Sequence, residues 1–399
     1  MLNKSKNRKP AFKLTLLFMM LYFISYITRI NYGAVISEIV KSEGILKSKA
    51  SLALTASAVT YGIGQLISGF LGDRFNPKKL ILSGLVITAL TNLLLPFCRS
   101  AYQMTFVWAV NGLAQSFMWP PMVRLMSEFF TKEEYSTACT YVSCSAQAAT
   151  MAVYVMSPVF IYLAGWKSVF FVSAFFALIM IAVWEKTCPQ INKKVKKDEM
   201  TNKENSKMPG AVVIYTVILL TAIAFQGIIR DGVTTWMPSY VSETFGLDNK
   251  IAILTGVVIP VFSIIVTQLT SIVYVRFIRN EMLLAGVIFA LGFVISMAMY
   301  ALNGVSPVIS IVLSALFTGC THGVNWIVTC MMPPKFGKYG KISFMSGLLN
   351  ASVYAGSAVS IYGVAAFSES MGWSMTLLLW SGIALAASLL FFILSAKKL

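Results

Sequence analysis

Charge is what this chain has least of. Asp, Glu, Lys and Arg make up 12% of its 399 residues, where soluble domains carry about 25%. The shortage is sharpest for acids. Of fifteen acidic residues, fourteen fall in polar stretches or at the ends of apolar runs, and only Asp231 sits deep inside one. There is a single histidine, His322. A relay built from several intramembrane carboxylates is thereby excluded, leaving Asp231 and His322 as the candidates for carrying a proton. The six cysteines (Cys98, Cys139, Cys144, Cys188, Cys320 and Cys330) follow no metal or disulfide spacing and read as small apolar packing residues. No catalytic triad, phosphate-binding loop or metal-ligand spacing occurs. The expectation is a protein that is not an enzyme and needs no cofactor or metal. A cleaved leader is also missing: the first apolar run is too long, lacks a small-residue cleavage site and contains Arg29, so it reads as a retained span.

What the chain has instead is apolar length. Hydrophobic residues make up 57% of it, in recurring runs of about 20, each able to cross a bilayer core of about 30 Å. Twelve spans are expected: 11–37, 50–71, 79–98, 102–124, 137–163, 168–184, 211–240, 251–275, 282–302, 306–332, 342–366 and 374–395. The fold class is therefore an all-α membrane protein. The one long polar stretch, 185–210, holds seven Lys and four acidic residues and reads as a flexible linker. It separates an N-terminal six-helix half at 11–184 from a C-terminal half at 211–395, with short tails at 1–10 and 396–399.

Net charge +17 could suggest nucleic acid, but its distribution does not. With the N-terminus inside, inner segments carry 24 of the 32 Lys and Arg, outer segments six, and the last two are Arg29 and Arg230. That is the positive-inside bias. It puts both termini and the linker in the cytoplasm and removes the need for a nucleic-acid face.

Arg29 and Arg230 lie within apolar runs, where a charge costs roughly 2.5–3.5 kcal/mol on insertion scales. They sit in the first and seventh spans, 201 residues apart. Gly112-x-x-Gln115-x-x-x-Trp119 in the fourth span matches Gly319-x-x-His322-x-x-x-Trp326 in the tenth, 207 apart. Similar offsets in two helix pairs are what a duplicated six-helix unit gives, and parallel repeats with a midplane site are a known transporter layout. An arginine fork matches phosphate or carboxylate oxygens, so the pair reads as an anion site. Snorkelling, or pairing with a carboxylate, is the alternative. Asp231 points about 100° away along a continuous helix and is expected to be a poor partner for Arg230 unless Gly227 and Gly232 break the helix. Tyr22 and Tyr26 share the face of Arg29, and Gln226 that of Arg230. With Gln65, Gln115, Asn325 and His322 they form the candidate substrate-binding set, each with helix packing as its alternative role. Trp119-Pro120-Pro121 is expected to kink the fourth span.

Between the second and third spans, Gly69-Phe-Leu71-Gly-Asp73-Arg74-Phe-Asn76-Pro77-Lys78-Lys79 resembles the loop signature of the major facilitator superfamily, Gly-x-Leu-Ala-Asp-Arg-x-Gly-Arg-Lys. Asn76 replaces the usual Gly, a mild change if the position is left-handed. The resemblance implies the major facilitator fold, twelve helices in two pseudo-symmetric halves, with Asp73, Arg74 and Lys78 latching the halves on the cytoplasmic side. Solvated turn charges are the alternative. Within the superfamily the chain is similar to the organophosphate:phosphate antiporters, the glycerol-3-phosphate and hexose-6-phosphate transporter group. Tyr26-x-x-Arg29-x-Asn31, Met118-Trp-Pro-Pro121 with Arg124, and Arg230-x-Gly232-x-x-x-Trp236-x-Pro238-x-Tyr240 carry this. It implies that Arg29 and Arg230 bind a phosphate group. The chain departs from the group at Gln65 and Ala146, where a lysine and a histidine are usual.

The expectation is a multi-pass inner-membrane protein, monomeric, exchanging a small organic anion for phosphate. Its partners are that anion and the lipid bilayer. A proton-coupled carboxylate or sugar-acid symporter using Asp231 or His322 is the first alternative, and a transporter-like organophosphate sensor the second.

Overall fold

A computed structural model describes residues 4–189, 208–246 and 258–397. Most of the expected linker at 185–210 lies outside them. Among the described residues there is no strand. The helices are α1 (Lys4–Glu43), α2 (Lys47–Arg74), α3 (Pro77–Leu94), α4 (Ala101–Gln115), α5 (Trp119–Phe129), α6 (Lys132–Ala164), α7 (Lys167–Thr187), α8 (Gly210–Phe245), α9 (Val258–Arg276), α10 (Glu281–Ala301), α11 (Pro307–Trp326) and α12 (Ile342–Ser395). Among the described residues, eleven stretches are long and apolar enough to cross a membrane. The fourth expected span completes twelve, but it is broken into α4 and α5. The long run α12 contains two spans, Ile342–Ser360 and Ala366–Ser395, bent at Gly372, whose φ is 79°.

The break between α4 and α5 is sharper than the expected kink. Pro120 and Pro121 sit in the first turn of α5, where a missing N–H costs nothing, and the chain turns at Ser116–Met118 before them. The matching place in the tenth span is irregular too. Beyond Trp326 the backbone runs as a π-helix over Ile327–Met331, a local widening that in proteins concentrates at functional sites.

Side-chain caps punctuate the spans. Asn76 caps α3, its side chain accepting from Lys78 N, with Pro77 next. Its φ is −68°, so the left-handed backbone expected at this position is absent, and Asn serves as a cap instead. Thr131 and Glu134 form a capping box on α6.

The chain divides into two compact units. The first is Met1–Asn205 with Phe336–Leu348, and the second Ser206–Lys335 with Leu349–Leu399. The segment 336–348, placed by sequence in the second half, groups with the first unit. In the first unit α2 packs along α4, and α1 along α6 and α7. In the second, α9 packs along α11, and α10 and α8 also meet α11. Spans two and four thus pair in one unit as eight and ten do in the other, as a duplication requires.

The repeated motif shows why. A Cβ at Gly112 would lie 2.3 Å from the Ser57 carbonyl of α2; one at Gly319 would lie 2.8 Å from Val266 of α9. Glycine at the matched positions lets each helix pair close to backbone distance. Away from these seams the helices expose large apolar side chains, among them Phe106 at 71% and Leu291 and Leu389 at 54% each. For such faces lipid is the fitting solvent.

Gly112→Val should cost about 1–3 kcal/mol or more by overpacking. Gly382→Ala, where a Cβ meets nothing within 4 Å, should be neutral or stabilising by about 0.5–1 kcal/mol. Thermal unfolding in detergent measures both.

Candidate functional site

In the first unit, α1 carries Arg29 half-buried. Its guanidinium lies over two rings, 4.3 Å from the Tyr26 centroid and 4.6 Å from that of Tyr61 on α2. Tyr26 stacks edge-on with Tyr22 at 5.0 Å, and Tyr22 meets Trp119, the first residue of α5, at 4.9 Å. The spacing of Tyr22, Tyr26 and Arg29 on one helix face makes this row. The chain break before α5 lets Trp119 reach it. A cation over an aromatic face gains about 0.5–2 kcal/mol, more as it is desolvated.

Behind this row runs a polar belt. Asn31 Nδ2 donates to Asn92 Oδ1 at 2.8 Å and Ser173 Oγ at 3.0 Å. Asn92 and Asn111 both donate to the Thr28 carbonyl at 3.1 Å. Gln115 accepts from Ser25 at 2.6 Å and donates to Thr28 Oγ1 at 2.9 Å. Gln115 is thereby committed to joining α4 to α1. Gln65 differs: it is fully buried and neither side-chain amide atom has a hydrogen-bond partner, nor does Trp119 Nε1.

In the second unit, Arg230 and Asp231 form a two-pronged ion pair. Nε donates to Oδ1 at 2.6 Å and Nη2 to Oδ2 at 3.0 Å. The expectation that Asp231 would be a poor partner on an unbroken helix is wrong. Helix α8 runs unbroken through both residues, and the long Arg side chain folds around the helix to the short neighbouring carboxylate. Gly227 and Gly232 do not break α8 but seat it against α12. A Cβ at Gly227 would lie 2.1 Å from the Val353 carbonyl, and one at Gly232 2.4 Å from Ser360 Oγ. This packing brings Tyr354, whose ring centroid is 5.8 Å from the Arg230 guanidinium, and Ser357, whose hydroxyl neighbours the Asp231 carboxylate. His322 on α11 lies within electrostatic reach of both Arg230 and Asp231. Gln226 Nε2 donates to the Thr321 carbonyl at 3.1 Å, tying α8 to α11, while its Oε1 has no partner. Asn325 Oδ1 and Trp326 Nε1 also have none.

The three loop residues part company. Asp73 Oδ1 and Oδ2 accept from the backbone N–H groups of Ser343 and Phe344, each at 2.8 Å, in the opening turn of α12. A carboxylate there satisfies orphan donors and meets the positive end of the helix dipole. Arg124 Nη1 donates to the Gly72 and Asp73 carbonyls, and its Nε pairs with Glu128 at 3.1 Å. Arg74 instead lies over Phe70 of its own helix, 3.7 Å from the centroid. Lys78 is buried and donates to the Glu185 and Cys188 carbonyls at 2.9 and 2.8 Å, capping the end of α7.

The Major Facilitator Superfamily pattern matches residues 18–337. The chain belongs to this superfamily. Its fold is similar to that of the superfamily's proton:xylose symporter XylE, with a TM-score of 0.77 at 10% identity over 97% of this chain and 96% of that one. In sequence it is similar to the glycerol-3-phosphate transporter of Bacillus subtilis (strain 168), 27% identical over 70% of this chain and 68% of that protein. It is also 27% identical to the probable hexose phosphate transport protein of Chlamydia muridarum, over 40% of this chain and 35% of the other.

Three neighbours of Arg29, Arg230 and Asp231 are not marked by the sequence. Tyr61 is an isolated tyrosine in the second span, and Tyr354 and Ser357 sit in the eleventh. None is in sequence register with an arginine, so only helix packing reveals them. Arg124 was legible as part of the Trp-Pro-Pro stretch, but not as the clamp on the Asp73 backbone.

Tyr61→Leu should destabilise the protein by about 1–2 kcal/mol through the lost ring face. Tyr61→Phe, which keeps the ring, should lose much less in thermal unfolding.

Proposed function

We propose that this transporter of the Major Facilitator Superfamily carries a small organic anion, an organophosphate exchanged for inorganic phosphate, by alternating access. The observation that carries the reading is Arg29 held between the Tyr26 and Tyr61 rings. A guanidinium at depth presents a fork of donors matched to the oxygens of an anion. Arg230 is the second cation of this reading, on α8. Gln65, Asn325, His322, Tyr22 and Tyr26 contact the substrate, while Gln115 and Gln226 mainly hold helices together. The organophosphate names of the sequence relatives support the substrate class.

In this reading the protein lies in the inner membrane with both termini cytoplasmic. The Asp73 contact with the opening turn of α12 is the cytoplasmic latch. That turn groups with the first unit, and the helix it opens continues covalently into the second. Arg124 stiffens the loop that presents Asp73, and Lys78 anchors the start of α3 to the end of α7.

The test is flux in proteoliposomes loaded with phosphate. Arg29→Lys and Arg230→Lys should each lower exchange of labelled phosphate by about 30-fold or more, because lysine lacks the fork that grips two oxygens. Full exchange by Arg230→Lys would overturn the assignment. A second reading, proton-coupled anion symport, draws on His322 lying within reach of Asp231. It predicts uptake that dissipates a pH gradient and is lost in His322→Ala.

A further inference from the structure

The Arg230–Asp231 pair occupies the edge of the guanidinium that an oxyanion would use. Nε and Nη2 are the parallel donors favoured for two-pronged binding of carboxylate or phosphate, and both point at Asp231. A substrate anion and the Asp231 carboxylate therefore cannot hold that edge together. Asp231 is the next residue in the chain, so its local concentration at Arg230 is permanently high. A second position for the carboxylate is also on hand. Ser357 Oγ neighbours it and now donates to the Val353 carbonyl at 3.0 Å. Its one proton can turn from that carbonyl to a displaced carboxylate.

We infer that Asp231 is a resident counter-anion: it fills the Arg230 fork when substrate leaves, is pushed towards Ser357 when substrate binds, and lets the unloaded carrier reorient. This rests on the anion-transport reading above and deepens it. Two consequences follow from the geometry. Competition by Asp231 lowers apparent anion affinity, since only the fraction of carriers with an open fork can bind. It also removes the barrier that a bare guanidinium would impose on closing the empty carrier, because an unpaired buried charge is far costlier than a paired one. Transport is then not confined to strict exchange.

The experiment uses the full chain reconstituted in liposomes, with labelled inorganic phosphate and glycerol 3-phosphate as probes. Each variant is assayed for uptake into phosphate-loaded vesicles and into anion-free vesicles under a clamped membrane potential. Wild type is expected to show both. In Asp231→Asn the ratio of net uptake to exchange should fall by about tenfold or more, and the thermal shift produced by phosphate should exceed that of wild type. Ser357→Ala removes the alternative partner, so it should move phosphate affinity the opposite way, weakening it by several-fold. An equal ratio in wild type and Asp231→Asn, or a phosphate shift no larger than wild type, overturns the counter-anion role while leaving the transport reading intact. If wild type neither moves nor is stabilised by either anion, the transport reading itself fails. Ser357→Ala keeps the question open to decision if Asp231→Asn does not fold: unchanged or tighter phosphate binding there also overturns the role.

Discussion

A guanidinium inside an apolar helix must be stabilised by the protein, because lipid will not do it. This constraint shapes both units, and they meet it differently. Arg29 is set against the aromatic faces of Tyr26 and Tyr61. Arg230 is gripped by a carboxylate one residue away, which cancels its charge. The two arginines match in the repeat but not in their surroundings.

The same constraint governs the backbone and the neutral polar groups. The Asn31–Asn92–Asn111–Gln115 belt satisfies almost every amide it contains within the first unit. Against that economy, the buried polar atoms of Gln65, Trp119, Asn325 and Trp326 that lack partners stand out. They lie beside the two places where regular α-helix gives way, the α4–α5 turn and the π-helix after Trp326. Irregular backbone and unpaired polar atoms thus fall together near each repeat's tryptophan.

At the loop end, one motif does three jobs. Asp73 reaches the start of α12, Lys78 closes the end of α7, and Arg74 stays on its own helix. The family resemblance had implied one latching role for all three. The division arises because the chain leaves α2 and enters α3 within two residues, so successive side chains are thrown in different directions. Only Asp73 is aimed at the donors that open another helix.

The sequence by itself determined the class and most of the spans. These rest on hydrophobic length, which is a property of single segments in lipid. It also singled out Arg29 and Arg230, since a charge in an apolar run is conspicuous without any fold. Tertiary structure alone decided what surrounds those charges. Tyr61, Tyr354 and Ser357 come from other helices, brought in by backbone-close packing at glycines whose effect no local pattern announces. It also decided the fate of Asp231. Helical geometry sets its Cα direction 100° from that of Arg230, and a side chain as long as arginine's can ignore that angle. Which carboxylate a guanidinium finds depends on which neighbours crowd or leave room for it, and that is settled only when α8, α11 and α12 are packed.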